Sequence, residues 1–456
     1  MVCPHFSHDL PAGLTDWLCQ LGNGHITRLE RHVARREAWV VDITATDGGV
    51  TEGFLRIDRK PDERSNISLR REVRICEELS KTGVPVPSIM GWNEAHHAAL
   101  FSRDSGRSDI HELDDQPRQQ AIMKDFIDII ADLHTLDPDT LDLNDVLGPR
   151  PNTAEECALG DLNAQLSQFA GFLENYQDPL ITFSVKWLQA NVPKPLARVS
   201  LVQGDTGPMN FMFKANKVSV LVDWEWGHWG DPMEDLGNIS VRELWSPAGG
   251  LGGLFRQYQE QSGIPYSKQA VQYYRVQQNV RGMIPIHAIC HYGNKREPLA
   301  WYLAYRYIGD RTTCEALADY YNISLTKPDF PESSQPIDPM ADAALYALRK
   351  VIAPKLDDTF AQSRNEDVSI LVACMERVQR FGAEIDVTVR SEISEILQES
   401  FHTAAEATSA LIQAIEKDQL DKETIIRYLA RKAYRDEWLY GPAIAKFPNR
   451  QWSPLD

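Results

Sequence analysis

Hydrophobic and polar positions alternate with two different periods along this chain, and the change of period marks its organisation. A helix-like stretch at LTDWLCQLG is followed by the segment from His25 to Lys60, where β-branched and aromatic runs are broken by the turn signal Asp47-Gly48-Gly49. That pattern predicts a meander of antiparallel strands. Leu69, Val73, Cys76 and Leu79 then repeat at helical spacing, with Gly83 placed to end the helix. VPVPSIMGW and HHAALFSRDSG predict two further strands, so residues 20–105 read as a small sheet with one helix against it.

From about Asp115 the period becomes helical, and Ile122, Phe126, Ile129, Ile130 and Leu133 fall on one face predicted to be core. Helical character returns in LGDLNAQLSQFAGFLENYQ and ITFSVKWLQANV, and again from about Gly253 to Asp319. Between them lies an island of β pattern. GGLGG at 249–253 has neither GxGxxG spacing nor a GK[ST] ending and reads as a plain loop. The run LTKPDFPESSQPIDP, with Pro328, Pro331, Pro336 and Pro339, reads as a linker. Beyond it, Leu345, Leu348, Ile352 and Leu356 form one apolar stripe, and Val368, Leu371, Met375 and Val378 a second, as in a helical bundle. The expected division is 1–105, a sheet domain; 106–325, a helical domain holding the β island; 326–340, a linker; and 341–456, a helical bundle and tail.

Length and composition narrow the class. A chain of 456 residues exceeds what one core usually supports, and 43% hydrophobic with 25% charged residues is ordinary for a globular protein. A formal charge of -18 argues against nucleic-acid binding, which needs a concentrated positive surface. Seven scattered cysteines without a CxxC argue against a disulfide framework or zinc site. No apolar run approaches a membrane span and no leader pattern opens the chain, so a cytoplasmic location and no membrane partner are expected.

The candidate chemistry lies in the β island, LVQGDTGPMNFMFKANKVSVLVDWEWGHWGDPMED. NFMF and VSVLV flank a turn near Asn216. With the turn centred between Asn216 and Lys217, the antiparallel register predicts that Asn210 faces Asp223 at the open end of a hairpin. A carboxylate and an amide oxygen converging there suit Mg²⁺, with Asp205 on the preceding loop placed as a base or orienting group. The spacing alone equally allows Asp205 and Asn210 to cap turns and Asp223 to end a strand.

The same segment resembles the signature of the aminoglycoside phosphotransferase and choline kinase-like superfamily, which is related to protein kinases: HGDxxxxN, then a hydrophobic residue and DWE, then GDPxxDL. Here these stand as Gln203 to Asn210, Val222-Asp223-Trp224-Glu225, and Gly230 to Leu236. The resemblance implies an α+β, bilobal protein-kinase-like fold, with a small antiparallel-sheet N-lobe, a mostly helical C-lobe and an appended C-terminal helical domain. It implies Asp205 as the catalytic base, Asn210 and Asp223 as metal ligands, and ATP and Mg²⁺ as cofactors. It also implies that Arg56, on the third strand, holds the nucleotide phosphates and pairs with Glu72 on the following helix, while the backbone of Phe101, Ser102 and Arg103 holds the adenine. Two positions depart from the pattern. Gln203 replaces the usual histidine, and the loop Arg31 to Glu37 has no glycine to approach phosphate, so Arg35 and Arg36 either bind phosphate through their side chains or are simply solvated.

The expected activity is an ATP- and Mg²⁺-dependent kinase acting on a hydroxyl of a small molecule. GDTGPMNF with DWEWGHWGDPMEDL is closer to the kinase-like domains associated with acyl-CoA dehydrogenases, so a hydroxyacyl-CoA is one acceptor. An aminoglycoside is another. A non-catalytic nucleotide-binding scaffold is the alternative of a different class, prompted by the glycine-free loop and the appended bundle. A partner from acyl-CoA metabolism, or self-association through that bundle, is the expected interaction.

Overall fold

Period-two segments of the N-terminal region become strands in the computed structural model, which describes residues 10–32, 37–59, 68–293, 298–332 and 336–455. Contacts divide the chain into two compact units. The first covers the chain up to Gln165, Lys194–Lys268 and the residues from Ser453; the second covers Leu166–Pro193 and Gln269–Trp452.

In the first unit, β1 (Gly24–Arg31), β2 (Ala38–Ala45), β3 (Val50–Ile57), β4 (Ile89–Asn93) and β5 (Ala98–Ser102) form an antiparallel sheet in the order β1-β2-β3-β5-β4. Strand alternation gives the sheet two faces with different tasks. On one face Leu55, Val41, Ile43 and Leu100 pack with Leu14 and Leu18 of α1 (Leu14–Leu21). On the other, Phe54 and Arg56 of β3 point away from that core, and Glu72 of α2 (Leu69–Leu79) reaches Arg56. The sheet thus carries two helices rather than one, because the N-terminal amphipathic stretch closes its apolar face. The helix α2 begins where the Ser68 hydroxyl accepts the Arg71 N–H and ends at Leu79 with Ser80 as its cap, so the stop precedes Gly83.

The helix α3 (Gln116–Thr135) starts at the Asp115 cap and buries Ile122, Phe126, Ile130 and Leu133; Ile129 is only half-buried, its place on the core face taken by Ile127. Phe126 stacks on Phe211 at 4.6 Å between ring centres, which seats α3 against the hairpin of β7 (Phe211–Lys214) and β8 (Lys217–Leu221). Short strands β6 (Ser200–Val202) and β9 (His228–Gly230) pair beside it. The helix α4 (Pro232–Trp245) is capped by Asp231 and buried on almost every side. The stretch GGLGG leads into α5 (Leu254–Ser262), with Gly253 as its cap.

The second unit is helical: α6 (Lys268–Tyr292), α7 (Leu299–Tyr320), the 39-residue α8 (Thr359–Leu397), α9 (Ala404–Glu416) and α10 (Lys422–Leu439). Of the apolar stripe read from Val368, Leu371, Met375 and Val378, Leu371 packs against the buried core and the other three do not. These side chains are 46%, 63% and 38% exposed, while Ile370, Cys374, Phe381, Ile385, Val389 and Ile393 form the buried spine. Apolar residues stand on two adjacent faces of α8, so periodicity fixes the helix without fixing which face is covered. No helix among the described residues is long and apolar enough to cross a membrane. Replacing Phe381 with Ala should cost about 3–5 kcal/mol of unfolding free energy, and replacing Val378 with Ala less than about 0.5 kcal/mol. Chemical denaturation of both variants checks this, and equal costs would contradict the assignment of the buried face.

Candidate active site

The loop after β6 owes its shape to one buried carboxylate. Asp235, on the first turns of α4, accepts the backbone N–H groups of Gln203 at 2.9 Å and Gly204 at 3.0 Å, and the Thr206 hydroxyl at 2.5 Å. His134, at the end of α3, lies 3.0 Å from the same carboxylate and hydrogen-bonds Tyr258 through its other ring nitrogen. Burial pushes the Asp235 pKa up, but His134, Thr206 and the Gln203 N–H together outweigh it and hold the pKa below its ordinary value. Gly204 sits at φ 77°, and a side chain there would meet the Trp226 carbonyl oxygen at 2.3 Å. The backbone must pass where only glycine fits.

This loop presents Asp205. Its carboxylate is held by Arg242 of α4, whose Nε donates to Oδ1 at 2.8 Å while Nη2 bonds the second oxygen. The Asn210 amide nitrogen also donates to it, at 3.0 Å, and to the Asp205 carbonyl at 2.6 Å. With its nitrogen committed to Asp205, the amide turns its oxygen the other way. Gln203 occupies the usual histidine position and bridges the hairpin: its side-chain N–H donates to the Val222 carbonyl at 2.7 Å.

The hairpin register differs from the expected one. Phe211 pairs with Leu221 and Met212 with Val220, and Lys214 with Lys217 after a bulge. Asn210 therefore faces Val222, whose N–H donates to the Asn210 carbonyl, and not Asp223. The turn is Ala215-Asn216, one residue earlier than the expected centre, which lowers the sum of paired indices by two, and the bulge on β8 restores one of these. Asp223 lies one position further on, in the left-handed region at φ 65°, and from there the chain swings into the short helical turn Trp224–Trp226. Both Asn210 and Asp223 nonetheless line one cavity of about 460 Å³, a volume in the range of small-ligand sites.

Arg56 reaches into the same cavity and is shared among three carboxylates: Glu72 at 2.5 Å, Asp223 at 3.2 Å and Glu225 at 3.1 Å. Burial works against the charge on Arg56, yet Glu72 and then Asp223 outweigh it and raise its pKa. Formally, one guanidinium meets three carboxylates. An oxygen from each of Glu72, Asp223 and Glu225 lies within 4.8 Å of the others. These hard oxygen donors, with the Asn210 amide oxygen, fit Mg²⁺.

The remaining wall is apolar, from Ala38 and Val40 on the sheet to Met212, Val220 and Val222 on the hairpin, a slot for a flat ring. Phe101, Ser102 and Arg103 line it. The N–H groups of Ser102 and Arg103 already donate to the Ser88 and Glu52 carbonyls, so neither can donate to a purine without breaking those bonds. The Arg103 guanidinium pairs with Asp42 at 2.8 Å and Glu52 at 2.6 Å. Arg35 and Arg36 lie outside the described residues. His32 borders the cavity edge-on to Phe54, and burial lowers its pKa.

Glu225 and Arg242 are the site residues that sequence reasoning passed over. Glu225 stood in DWE, where a carboxylate two positions after the expected metal ligand was the available signal. Arg242 follows Asp235 by seven residues on α4, two helical turns, and so shares its loop-facing side. In sum, Asn210, Asp223, Glu72 and the buried Arg56 guanidinium line one cavity, and Asp205, which is not among its lining residues, is joined to it through Asn210.

Residues 31–269 match the family described as "Phosphotransferase enzyme family". Acyl-CoA dehydrogenase family member 11 from Rattus norvegicus is 24% identical over 218 residues, 45% of this chain and 27% of that protein. The chain thus matches only about a quarter of the length of that relative. A protein from Ralstonia eutropha, provisionally assigned as an aminoglycoside phosphotransferase, shares the fold with a TM-score of 0.51 at 19% identity, covering 68% of this chain and 96% of its own. Choline kinase LicA from Streptococcus pneumoniae aligns with a TM-score of 0.47 at 14% identity, over 67% of this chain and 98% of its own.

The depressed pKa of Asp235 has a consequence for stability. Its contribution is fully present above the unfolded carboxylate value of about 4 and is lost as pH falls through the lower folded value. Asp235→Asn should cost about 2–4 kcal/mol at neutral pH and flatten the fall in stability below about pH 4 relative to the unmodified chain. Denaturation midpoints across that range test this; parallel curves would contradict it.

Proposed function

The chain belongs to the phosphotransferase enzyme family, and from that premise we propose that it transfers the γ-phosphoryl group of ATP, with Mg²⁺, to a hydroxyl of a small molecule. The observation that carries this reading is the Asn210 amide, whose nitrogen bonds the Asp205 carboxylate while the residue lines the same cavity as Asp223. Asp205 receives the proton of the acceptor hydroxyl; Asn210 and Asp223 hold the metal; Arg56, steadied by Glu72, meets the nucleotide phosphates. Bound Mg²⁺ would neutralise charge on the phosphate oxygens. The work of the chain is then positioning: Asp235 fixes the loop, Gln203 ties it to the hairpin, and the apolar slot takes the base.

For the acceptor, the match to a segment of acyl-CoA dehydrogenase family member 11 supports a hydroxyacyl-CoA ahead of an aminoglycoside. The glycine-free stretch from Arg31 to Glu37 supports a second reading, a nucleotide-binding scaffold without transfer. A partner from acyl-CoA metabolism, or self-association through the C-terminal helices, belongs with either reading.

Asp205→Asn should lower phosphate transfer by about 1,000-fold and leave ADP binding with Mg²⁺ essentially unchanged. Transfer is measured across an alcohol panel that includes a 4-hydroxyacyl-CoA and kanamycin, and binding by calorimetry. Nucleotide binding without transfer to any acceptor would favour the scaffold, and loss of binding in the variant would contradict the role of Asp205.

A further inference from the structure

The loop that carries Asp205 reads Asp205-Thr206-Gly207-Pro208-Met209-Asn210 and contains no cation. Charge is nonetheless delivered to it. Arg242, 37 residues further along the chain, makes a two-pronged ion pair with the Asp205 carboxylate, one prong through Nε and one through Nη2. A planar guanidinium bound this way fixes the plane of the carboxylate as well as its position.

The fit between loop and helix is built for this contact. Asp235, Ile239 and Arg242 succeed one another along one side of α4, at spacings of four and three residues. Asp235 ties down the start of the loop, and Gly207, at φ 138°, lies against the other two. A side chain on Gly207 would come within 2.6 Å of the Arg242 Cβ and 3.2 Å of the Ile239 Cα. The loop is therefore pared to hydrogen where Arg242 emerges. The Arg242 side chain is 15% exposed and that of Asp205 21%, so the pair is largely shielded from solvent and is screened less than a surface ion pair.

We propose that Arg242 is a positioning residue for phosphoryl transfer, holding the Asp205 carboxylate in the orientation that receives the hydroxyl proton and supplying the loop with the positive charge its own sequence lacks. This rests on the functional reading above. The proton passes from the acceptor hydroxyl to a carboxylate oxygen of Asp205, the acceptor oxygen forms its bond to the γ-phosphorus, and ADP leaves. Arg242 forms and breaks no covalent bond. Its guanidinium stays beside the charge redistributed as the proton arrives.

The test uses the full chain with Mg·ATP and water or the best acceptor of the panel, comparing Arg242→Ala and Arg242→Lys with the unmodified chain and Asp205→Asn. Misplacing one reacting group costs about 100-fold in turnover, and that is the loss expected for Arg242→Ala, with Mg·ADP affinity retained. Lysine should recover only part, because it cannot grip both oxygens. Guanidinium ion at millimolar concentration should raise turnover of Arg242→Ala and leave Asp205→Asn unchanged. Turnover of Arg242→Ala close to that of the unmodified chain would overturn the proposal. So would a loss matched by weakened nucleotide binding and not rescued by guanidinium, since Arg242 would then only help to fold the loop. Absence of turnover in the unmodified chain with every acceptor would sink the functional reading itself, and this proposal with it.

Discussion

The geometry of the candidate site depends on a carboxylate that performs no chemistry. Asp235 is fully buried and accepts hydrogen bonds from two successive backbone N–H groups and a hydroxyl of the loop above it. An ionised group can remain in such a place only when its hydrogen bonds replace the water it has lost. The loop is therefore held by the cost of leaving that charge unsatisfied. Once Gln203, Gly204 and Thr206 are fixed, Asp205 has one place to stand, and Asn210 follows through its bonds to Asp205.

The second organising feature is the sharing of Arg56. A buried arginine with a single carboxylate would make a closed pair. Here Glu72, Asp223 and Glu225 converge on it from α2 and from the turn after β8, so one guanidinium ties the helix to the segment that carries Asp223. The left-handed backbone at Asp223 is part of the same device. A non-glycine residue in that conformation carries strain of about 1–3 kcal/mol, and such strain collects at functional sites. It swings Glu225 back towards Arg56 while leaving Asp223 at the cavity.

Much of this was legible in the sequence because it is local. Alternation marked the strands, helical spacing marked α2 and α3, the three linked motifs singled out Asp205, Asn210 and Asp223, and the family pattern of a basic strand residue with a helix glutamate singled out Arg56 and Glu72. What was hidden had non-local causes. The hairpin register slipped because the turn closes at Ala215-Asn216, one residue before the expected centre, with Ala215 at a positive φ that its residue type does not signal, and the bulge on β8 offsets only half of that slip. The buried face of α8 was misjudged because apolar residues lie on both sides and tertiary packing chooses between them. The Ser102 and Arg103 N–H groups were already committed to neighbouring segments. Arg242 was invisible because its partner lies 37 residues away, although its spacing from Asp235 was a usable clue.

The central claim is that Asn210 and Asp223 hold one nucleotide-bound divalent ion while Arg56 meets the phosphates. Its most direct test is a crystal structure with Mn²⁺ and a non-hydrolysable ATP analogue, the metal located by its anomalous signal. The account predicts one ion touching both the Asn210 amide oxygen and the Asp223 carboxylate, with Arg56 still on Glu72 and turned towards the phosphates. An ion bound away from both residues, or a nucleotide outside this cavity, would contradict it.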